Sequence, residues 1–546
     1  MPLRHLAPFF VRAWHCRALM RIYGDLKNDG DRMNDSDCAL FCTGMALPCP
    51  HANLLRKSGG YDFSFLKPPT LNPFRLDADD RRNTLMKLPD GSRLPSLLQT
   101  LAIVAQPINF LESCAQKYGD TFTLRVLGIN SPPVVFFSHP DSIQAIFTTL
   151  ADSFEFGKVT HIFRPLVGDQ SVIMQEGQRH QRQRQLLMPA LHREQLYGQG
   201  RVICDLARQQ MSWQIGRSLN IREEMSEISL QVILQVVFGM VPGARYERLK
   251  SLLSHLLEAI TSPLYSTQFF FPMLQKNLGR SSPWGGFLAQ QQEIDALIYA
   301  EIGDRRSQSL DSRTDILSVL MSATDDQGES MSDVELRDQL MTLLLLGHET
   351  TASGLAWAFY WIHRHADCLD RLLKELQTLG EDPDPTALSQ LPYLTAVCKE
   401  ALRVYPIALI SQPRKVKQTV HLEGYEFEPG AILVPCIYLA HHRAATYPEP
   451  ERFNPDRFMA QKFSPSEFLP FGGGSRSCVG MALSLFEMKL VLATVLSRYE
   501  FQTNYDHPVR PVRRGITFVP PDDFRLTVKR QRPAFAEAIL HPLKSA

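Results

Sequence analysis

Apolar positions recur at helical spacing through most of this chain, and short alternating runs are confined to a few places. Thr121-Phe-Thr-Leu-Arg-Val126 and Pro133-Val-Val-Phe-Phe137 read as early strands. Beyond about residue 140 helical patterns dominate, until a strand-rich region appears between Arg414 and Pro435 and a hairpin-like stretch covers Gly515 to Lys529. The longest helical pattern opens with Ser332-Asp-Val-Glu335, a capping box, and runs without proline past Trp361. From Leu340 to Ile362 it is apolar nearly all round, as in a membrane span or a buried core helix. His348, Glu349, Thr350 and Thr351 at its middle favour the buried helix, because charge at a bilayer centre is expensive. Downstream, Leu394, Val397, Cys398, Ala401 and Leu402 mark an amphipathic helix stopped by Pro406. The pattern predicts one mainly α domain with small β-sheets from Met86 to Ala546.

The first 85 residues differ. Met1 to Gly24 carries four arginines and no acid, and its apolar patches are broken by Pro8 and Arg12. That is too interrupted for a secretory h-region or a membrane span. The polar stretch onward to Asp80 reads as disordered, so 1–85 is expected to be a dispensable extension. Cys38, Cys42, Cys49 and His51 within it fit no standard zinc spacing. Over the whole chain of 546 residues the formal net charge is +1, which gives no reason to expect nucleic acid as partner. Ten scattered cysteines argue against a disulfide framework and for a reducing compartment, so a cytoplasmic protein with at most loose membrane association is expected.

One cysteine stands apart. Phe471-Gly-Gly-Gly-Ser-Arg-Ser-Cys-Val-Gly480 is a glycine-rich loop placing Cys478 ahead of a helix, whose apolar repeat is Leu483, Phe486, Leu490 and Ala493. Free N–H groups and the helix dipole there favour a thiolate. The glycines let a flat ligand approach the backbone, and Arg476 can neutralise an anion beside the sulfur. Together these suit a proximal pocket for haem iron, since a cysteine-ligated haem favours O–O cleavage. The plain alternative is a buried structural cysteine in a glycine-rich loop.

The loop resembles the haem-binding signature of the cytochrome P450 monooxygenases, matched at Phe471, Gly474, Arg476, Cys478 and Gly480. The resemblance implies Cys478 as axial ligand of a haem b iron, and a fold that buries the haem between the central helix and the cysteine loop. Gly347-His-Glu-Thr-Thr351 resembles the oxygen-activation motif of the family, with Leu346 where Ala or Gly is usual. Glycine in a helix interior costs about 1 kcal/mol against alanine, so Gly347 needs a reason, which a cofactor and O2 pressing on the helix would supply. Thr350 is then expected to hydrogen-bond the dioxygen being reduced, and Glu349 to feed protons from solvent. His348 reads as a satisfied structural histidine.

Glu400 and Arg403, three apart on one helix turn, would by themselves be an ordinary surface pair. They resemble the Glu-x-x-Arg motif of the family, which implies that Arg452 in Pro450-Glu-Arg-Phe453 completes a structural Glu-Arg-Arg cluster. His180, Arg184, Arg414 and Arg476 match positions that bind haem propionates, while Arg179 and Arg182 read as a solvated basic face. The motifs look most like the soluble cyanobacterial branch of the family, in which fatty acids, alkanes and terpenes are the usual substrates.

The expected activity is hydroxylation or epoxidation of a hydrophobic substrate with O2. No flavin or iron–sulfur domain is visible, so the electrons would come from separate proteins such as ferredoxin and its reductase, acting on a monomer without a transmembrane anchor. The alternatives are a haem-thiolate isomerase or peroxygenase needing no electron donor, and a non-catalytic haem sensor. The intact Glu349-Thr350 pair argues against the first, and the lack of a signalling domain against the second.

Overall fold

The computed structural model describes residues 88–532, apart from 157–161, 263–264, 266, 270–271, 311–312, 504 and 506–507. The readings made on residues 1–85, on Met86 and on the cysteines from 38 to 49 lie outside the described residues.

The apolar run around residue 350 forms a single helix, Asp333–Arg364, of 32 residues. Its start is the capping box read from sequence: the Glu335 N–H donates to Ser332 Oγ, and the Ser332 N–H donates to Glu335 Oε2 at 2.8 Å. From Thr351 to Ile362 every residue is buried, as expected of a helix apolar all round inside a protein core. Among the described residues no helix is long and apolar enough to cross a membrane.

This central helix packs on Ile221–Val232, Pro392–Val404 and Met481–Arg498, the last being the helix that follows Cys478. Gly354 is what lets the elements close up. A Cβ there would lie 3.1 Å from Met488 Sδ and 3.3 Å from Leu402 Cδ2, tighter than side chains normally approach.

A five-stranded sheet stands beside the helical core in the order Thr121–Leu124, Val134–Phe137, Ile432–Pro435, Arg414–Val416, Phe154–Glu155. Only the pairing of Val134–Phe137 with Ile432–Pro435 is parallel. The C-terminal stretch read as one hairpin is two structures. Val512–Arg514 pairs with Thr517–Val519, and Arg525–Gln531 joins Tyr499–Thr503 and Ser218–Asn220 in a separate sheet.

Glu400 and Arg403 are not at the surface: both side chains are 0% exposed. Arg403 grips the carboxylate with two bonds, Nε to Oε2 at 2.7 Å and Nη2 to Oε1 at 2.9 Å, and its Nη1 donates to the His441 carbonyl at 2.8 Å. The third member of the cluster is Arg457, whose Nε lies 3.3 Å from Glu400 Oε1. Arg452, expected in that role, offers only its backbone carbonyl to Arg403; its side chain is 63% exposed and pairs with Glu449. The chain turns after Phe453, which carries Arg457 back toward Glu400, and spacing along the sequence does not report that turn. Removing one partner of a buried ion pair leaves an uncompensated charge, at about 3–5 kcal/mol. Arg403→Ala is therefore expected to lower stability by that order, read as a lower denaturant midpoint. A loss near zero would contradict the buried geometry.

Candidate active site

The cysteine loop is shaped by Phe147 as much as by its glycines. Gly472 and Gly474 have φ of 66° and 68°, a region other residues rarely adopt. A Cβ on Gly473 would sit 2.3 Å from the Phe147 ring, and one on Gly474 would sit 2.7 Å from the Phe147 carbonyl oxygen. These glycines therefore admit a protein side chain and its backbone rather than a ligand, a partnership with no trace in the local motif. The Cys478 N–H donates to the Phe471 carbonyl at 2.9 Å and closes the loop. Gly480 is different: a Cβ there would meet only Cys478 Sγ, at 3.9 Å.

Cys478 is surrounded by protein, yet its own surface is exposed, because it opens on internal space rather than on packed side chains. Burial pushes its thiol pKa up, against the opposing pull of the Gly480 and Met481 N–H groups and the Arg184 charge. The expected bias toward thiolate is present in those groups, but desolvation outweighs it. A metal cation bound at sulfur reverses this balance, since a coordinating thiol is deprotonated outright.

Across from the loop, burial along the central helix is interrupted in one place. Leu345, Leu346, Gly347, Glu349 and Thr350 are partly exposed, between fully buried turns on either side. A Cβ on Gly347 would meet a single atom, Ile233 Cδ1 at 3.8 Å, so that stretch of helix faces unfilled space. The next residue ties the helix to the cysteine side: Thr351 Oγ1 donates to Ser484 Oγ at 3.1 Å, and Ser484 lies on the helix that begins just after Cys478. Thr350 Oγ1 donates to the Leu346 carbonyl one turn back at 2.6 Å. His348 Nε2 is within 3.0 Å of Ser226 Oγ and 2.9 Å of its carbonyl oxygen, and burial pushes its pKa down to about 4. It is the neutral structural histidine read from sequence.

Glu349 faces a polar cleft of about 400 Å³ shared with Arg222, Ser226, Arg514 and Asp522. Its Oε1 lies 3.3 Å from Arg514 Nε and 3.6 Å from Arg222 Nη1. Burial raises its pKa, and the two arginines partly offset that. Arg222 in turn holds Asp522, which is 72% exposed, so charged groups run from Glu349 to the surface. Arg514 is occupied by Glu349 and by Thr261 Oγ1 at 3.1 Å.

The four cationic candidates do converge. His180 and Arg184 lie one turn apart on Gly177–Ala190. Arg184 Nη1 donates to the Ser477 carbonyl at 2.7 Å, bracing the backbone beside Cys478. Arg476 donates through Nη2 to the Gln175 carbonyl at 2.7 Å, while its buried Nε has no hydrogen-bond partner. Burial and then the Arg476 charge bring Arg414 down to about 10; burial, then Arg476 and Arg184, bring His180 down to about 4. Among the described residues no carboxylate forms an ion pair with Arg414 or Arg476, although Glu176 lies near enough to favour the charge on Arg476. A cation cluster with an orphaned donor, beside an accessible thiol, fits a flat cofactor bearing carboxylates and a metal.

Arg182 departs from its reading as part of a solvated face: it bonds Asp325 at 2.6 Å and Glu335 at 2.7 Å, while Arg179 is exposed. Sequence also missed the lead-in to Gly177–Ala190. Gln339 Oε1 accepts from the Val172 N–H, and Asp338 Oδ2 accepts from the Gln170 N–H, pinning that segment to the central helix.

The profile of the Cytochrome P450 family matches residues 88–528. The chain is 35% identical over 453 residues to the putative cytochrome P450 135B1 of Mycobacterium tuberculosis, covering 83% of this chain and 93% of that one. The putative cytochrome P450 138 of the same organism is 30% identical over 450 residues, covering 82% and 97%. Among solved structures, the cyanobacterial CYP120A1 with retinoic acid bound superposes with a TM-score of 0.68 at 22% identity, over 82% of this chain and all of the other. The heme domain of cytochrome P450DA does so with the same score and identity. The accessible cysteine, the cations around it and the family-wide match lead to one conclusion: the chain belongs to the cytochrome P450 family of haem-dependent monooxygenases.

Proposed function

We propose that the protein hydroxylates or epoxidises a hydrophobic substrate of the fatty acid, alkane or terpene class, with O2 and two electrons from a separate donor such as ferredoxin with its reductase. The observation that carries this reading is the break in burial at Leu345–Thr350 on the helix that Thr351 ties to the one following Cys478, together with the accessible thiol of Cys478. Haem supplies the O2-activating chemistry when bound. Cys478 would hold its iron, and His180, Arg184, Arg414 and Arg476 its propionates. Phe471, Gly474 and Gly480 would shape the proximal side, and Glu400, Arg403 and Arg457 lock the approach to the loop.

The protein's remaining task is to place substrate and deliver protons. The apolar residues that would face the substrate are Leu343 and Ile233 on the helical side and Ile407 and Phe518 on the other, all of them buried. The last two are tied together, since the Phe518 N–H donates to the Ile407 carbonyl, and Trp357 Nε1 on the central helix donates to the Phe518 carbonyl at 3.1 Å. With Arg514 already engaged by Glu349, no free cation among these groups calls for a charged substrate. Glu349, which faces the polar cleft and is linked through Arg222 to exposed Asp522, would draw protons from solvent toward Thr350.

Substrate-induced difference spectra across fatty acids, alkanes and terpenes test the assignment. A saturable spectral change with at least one apolar class is expected, and turnover of that compound should require an electron donor. No response to any apolar class, or turnover with peroxide alone, would overturn it.

A further inference from the structure

Arg414 and Arg476 are held near one another without a carboxylate of the protein between them, and one aromatic ring serves both. The guanidinium carbon of Arg476 lies 4.2 Å from the centroid of the Phe156 ring, and that of Arg414 lies 4.5 Å from it. Arg414 also stands 5.6 Å from the ring centroid of Phe147, the residue packed on Gly473. The contact follows from strand register. Phe154 opposes Val416 and Glu155 opposes Lys415 in an antiparallel pair, so continuing the register brings Phe156 opposite Arg414. Arg476 arrives from the cysteine loop, steadied by the Gln175 carbonyl.

The residue type matters. Two cations this close repel, and a carboxylate placed between them would neutralise both and leave nothing to attract an anionic ligand. An aliphatic side chain would fill the space and do nothing about the repulsion. The face of a phenyl ring attracts each cation through its quadrupole while leaving the full positive charge in place. Resting on the propionate-binding role assigned above to Arg414 and Arg476, we propose that Phe156 is a positioning residue of the haem pocket, its ring holding both guanidiniums in place for the two carboxylates of the cofactor. Neither the haem-loop motif nor the oxygen-activation motif includes it.

The test is the rate at which ferric holoprotein gives up its haem to excess apomyoglobin, with thermal unfolding of each apoprotein measured in parallel. Phe156→Leu keeps apolar bulk and removes the π face; Phe156→Tyr keeps the face. Loss of a partly buried cation–π contact corresponds to about a tenfold effect. Haem release is expected to quicken about tenfold in Phe156→Leu and Phe156→Ala, and to stay near the parent rate in Phe156→Tyr, with unfolding temperatures unchanged in the Leu and Tyr variants. A parent-like rate in Phe156→Leu would show that bulk alone suffices and overturn the proposal, as would a faster release accompanied by a lower unfolding temperature. Arg414→Ala separates the two levels. If it speeds haem release while Phe156→Leu does not, the ring assignment falls and the propionate role stands. If Arg414→Ala leaves release unchanged, both fall.

Discussion

Cys478→Ser is expected to remove the thiolate signature from the ferrous carbon monoxide spectrum and to bring turnover to background. Serine is nearly isosteric, so the loop should survive: the Cys478 N–H bond to the Phe471 carbonyl is a backbone contact, and Arg184 braces Ser477 rather than the sulfur. What changes is the donor. A hydroxyl is far harder to deprotonate than a thiol and is a hard rather than a soft ligand, so it neither holds iron as well nor donates electron density to it as a thiolate does. The effect should therefore fall on spectrum and turnover and spare the fold. Thermal unfolding of the two apoproteins within a few degrees of each other would confirm that separation. Ordinary hydroxylase activity in the serine variant would remove Cys478 from the ligand role, and every assignment built around the loop would have to be redrawn.

Local patterns were the legible part of this sequence. The capping box at Ser332 and the helix stopped before Pro406 are each settled within a few residues, and the structure shows them where the pattern put them. Groups that meet only through tertiary contact were less legible. Glu400 and Arg403 read as a surface pair from spacing, because burial is conferred by Asn454, Arg457 and His441 from distant segments. Arg452 was assigned where Arg457 stands for the same reason: the motif gives the order of the chain but not the turn it takes. The glycines of the cysteine loop were explained by ligand approach, whereas Gly473 and Gly474 yield space to Phe147, more than 300 residues earlier. Phe156 had no signal at all, since an isolated aromatic beside a two-residue strand is indistinguishable from ordinary core until its register with Arg414 is known.

Thr350→Ala should still bind haem and substrate and still accept electrons, but it should waste them. The Thr350 hydroxyl donates its one proton to the Leu346 carbonyl and keeps its lone pairs free on the partly exposed stretch of the central helix, so it accepts a hydrogen bond there as it stands and donates one by turning its O–H away from that carbonyl. A positioned proton donor typically contributes about 10²–10⁴-fold. Without it, dioxygen that has received two electrons is expected to depart as hydrogen peroxide before its O–O bond is cleaved. The measurement is coupling, as product formed per electron pair consumed, with peroxide assayed alongside; coupling should fall steeply while peroxide rises by the matching amount. Glu349→Gln should move in the same direction by less. The carboxyl sits between Arg514 and Arg222 rather than at Thr350, and water in the cleft it faces can carry part of its load. Thr351 is a poor substitute for Thr350 because it is buried, with its hydroxyl on Ser484, whereas Thr350 lies on the partly exposed stretch. The double variant should therefore lose no less coupling than Thr350→Ala alone, and Thr350→Ser should restore most of it. Unchanged coupling in both single variants would mean that the pair is helix packing, and would favour an isomerase or peroxide-using enzyme on the same fold.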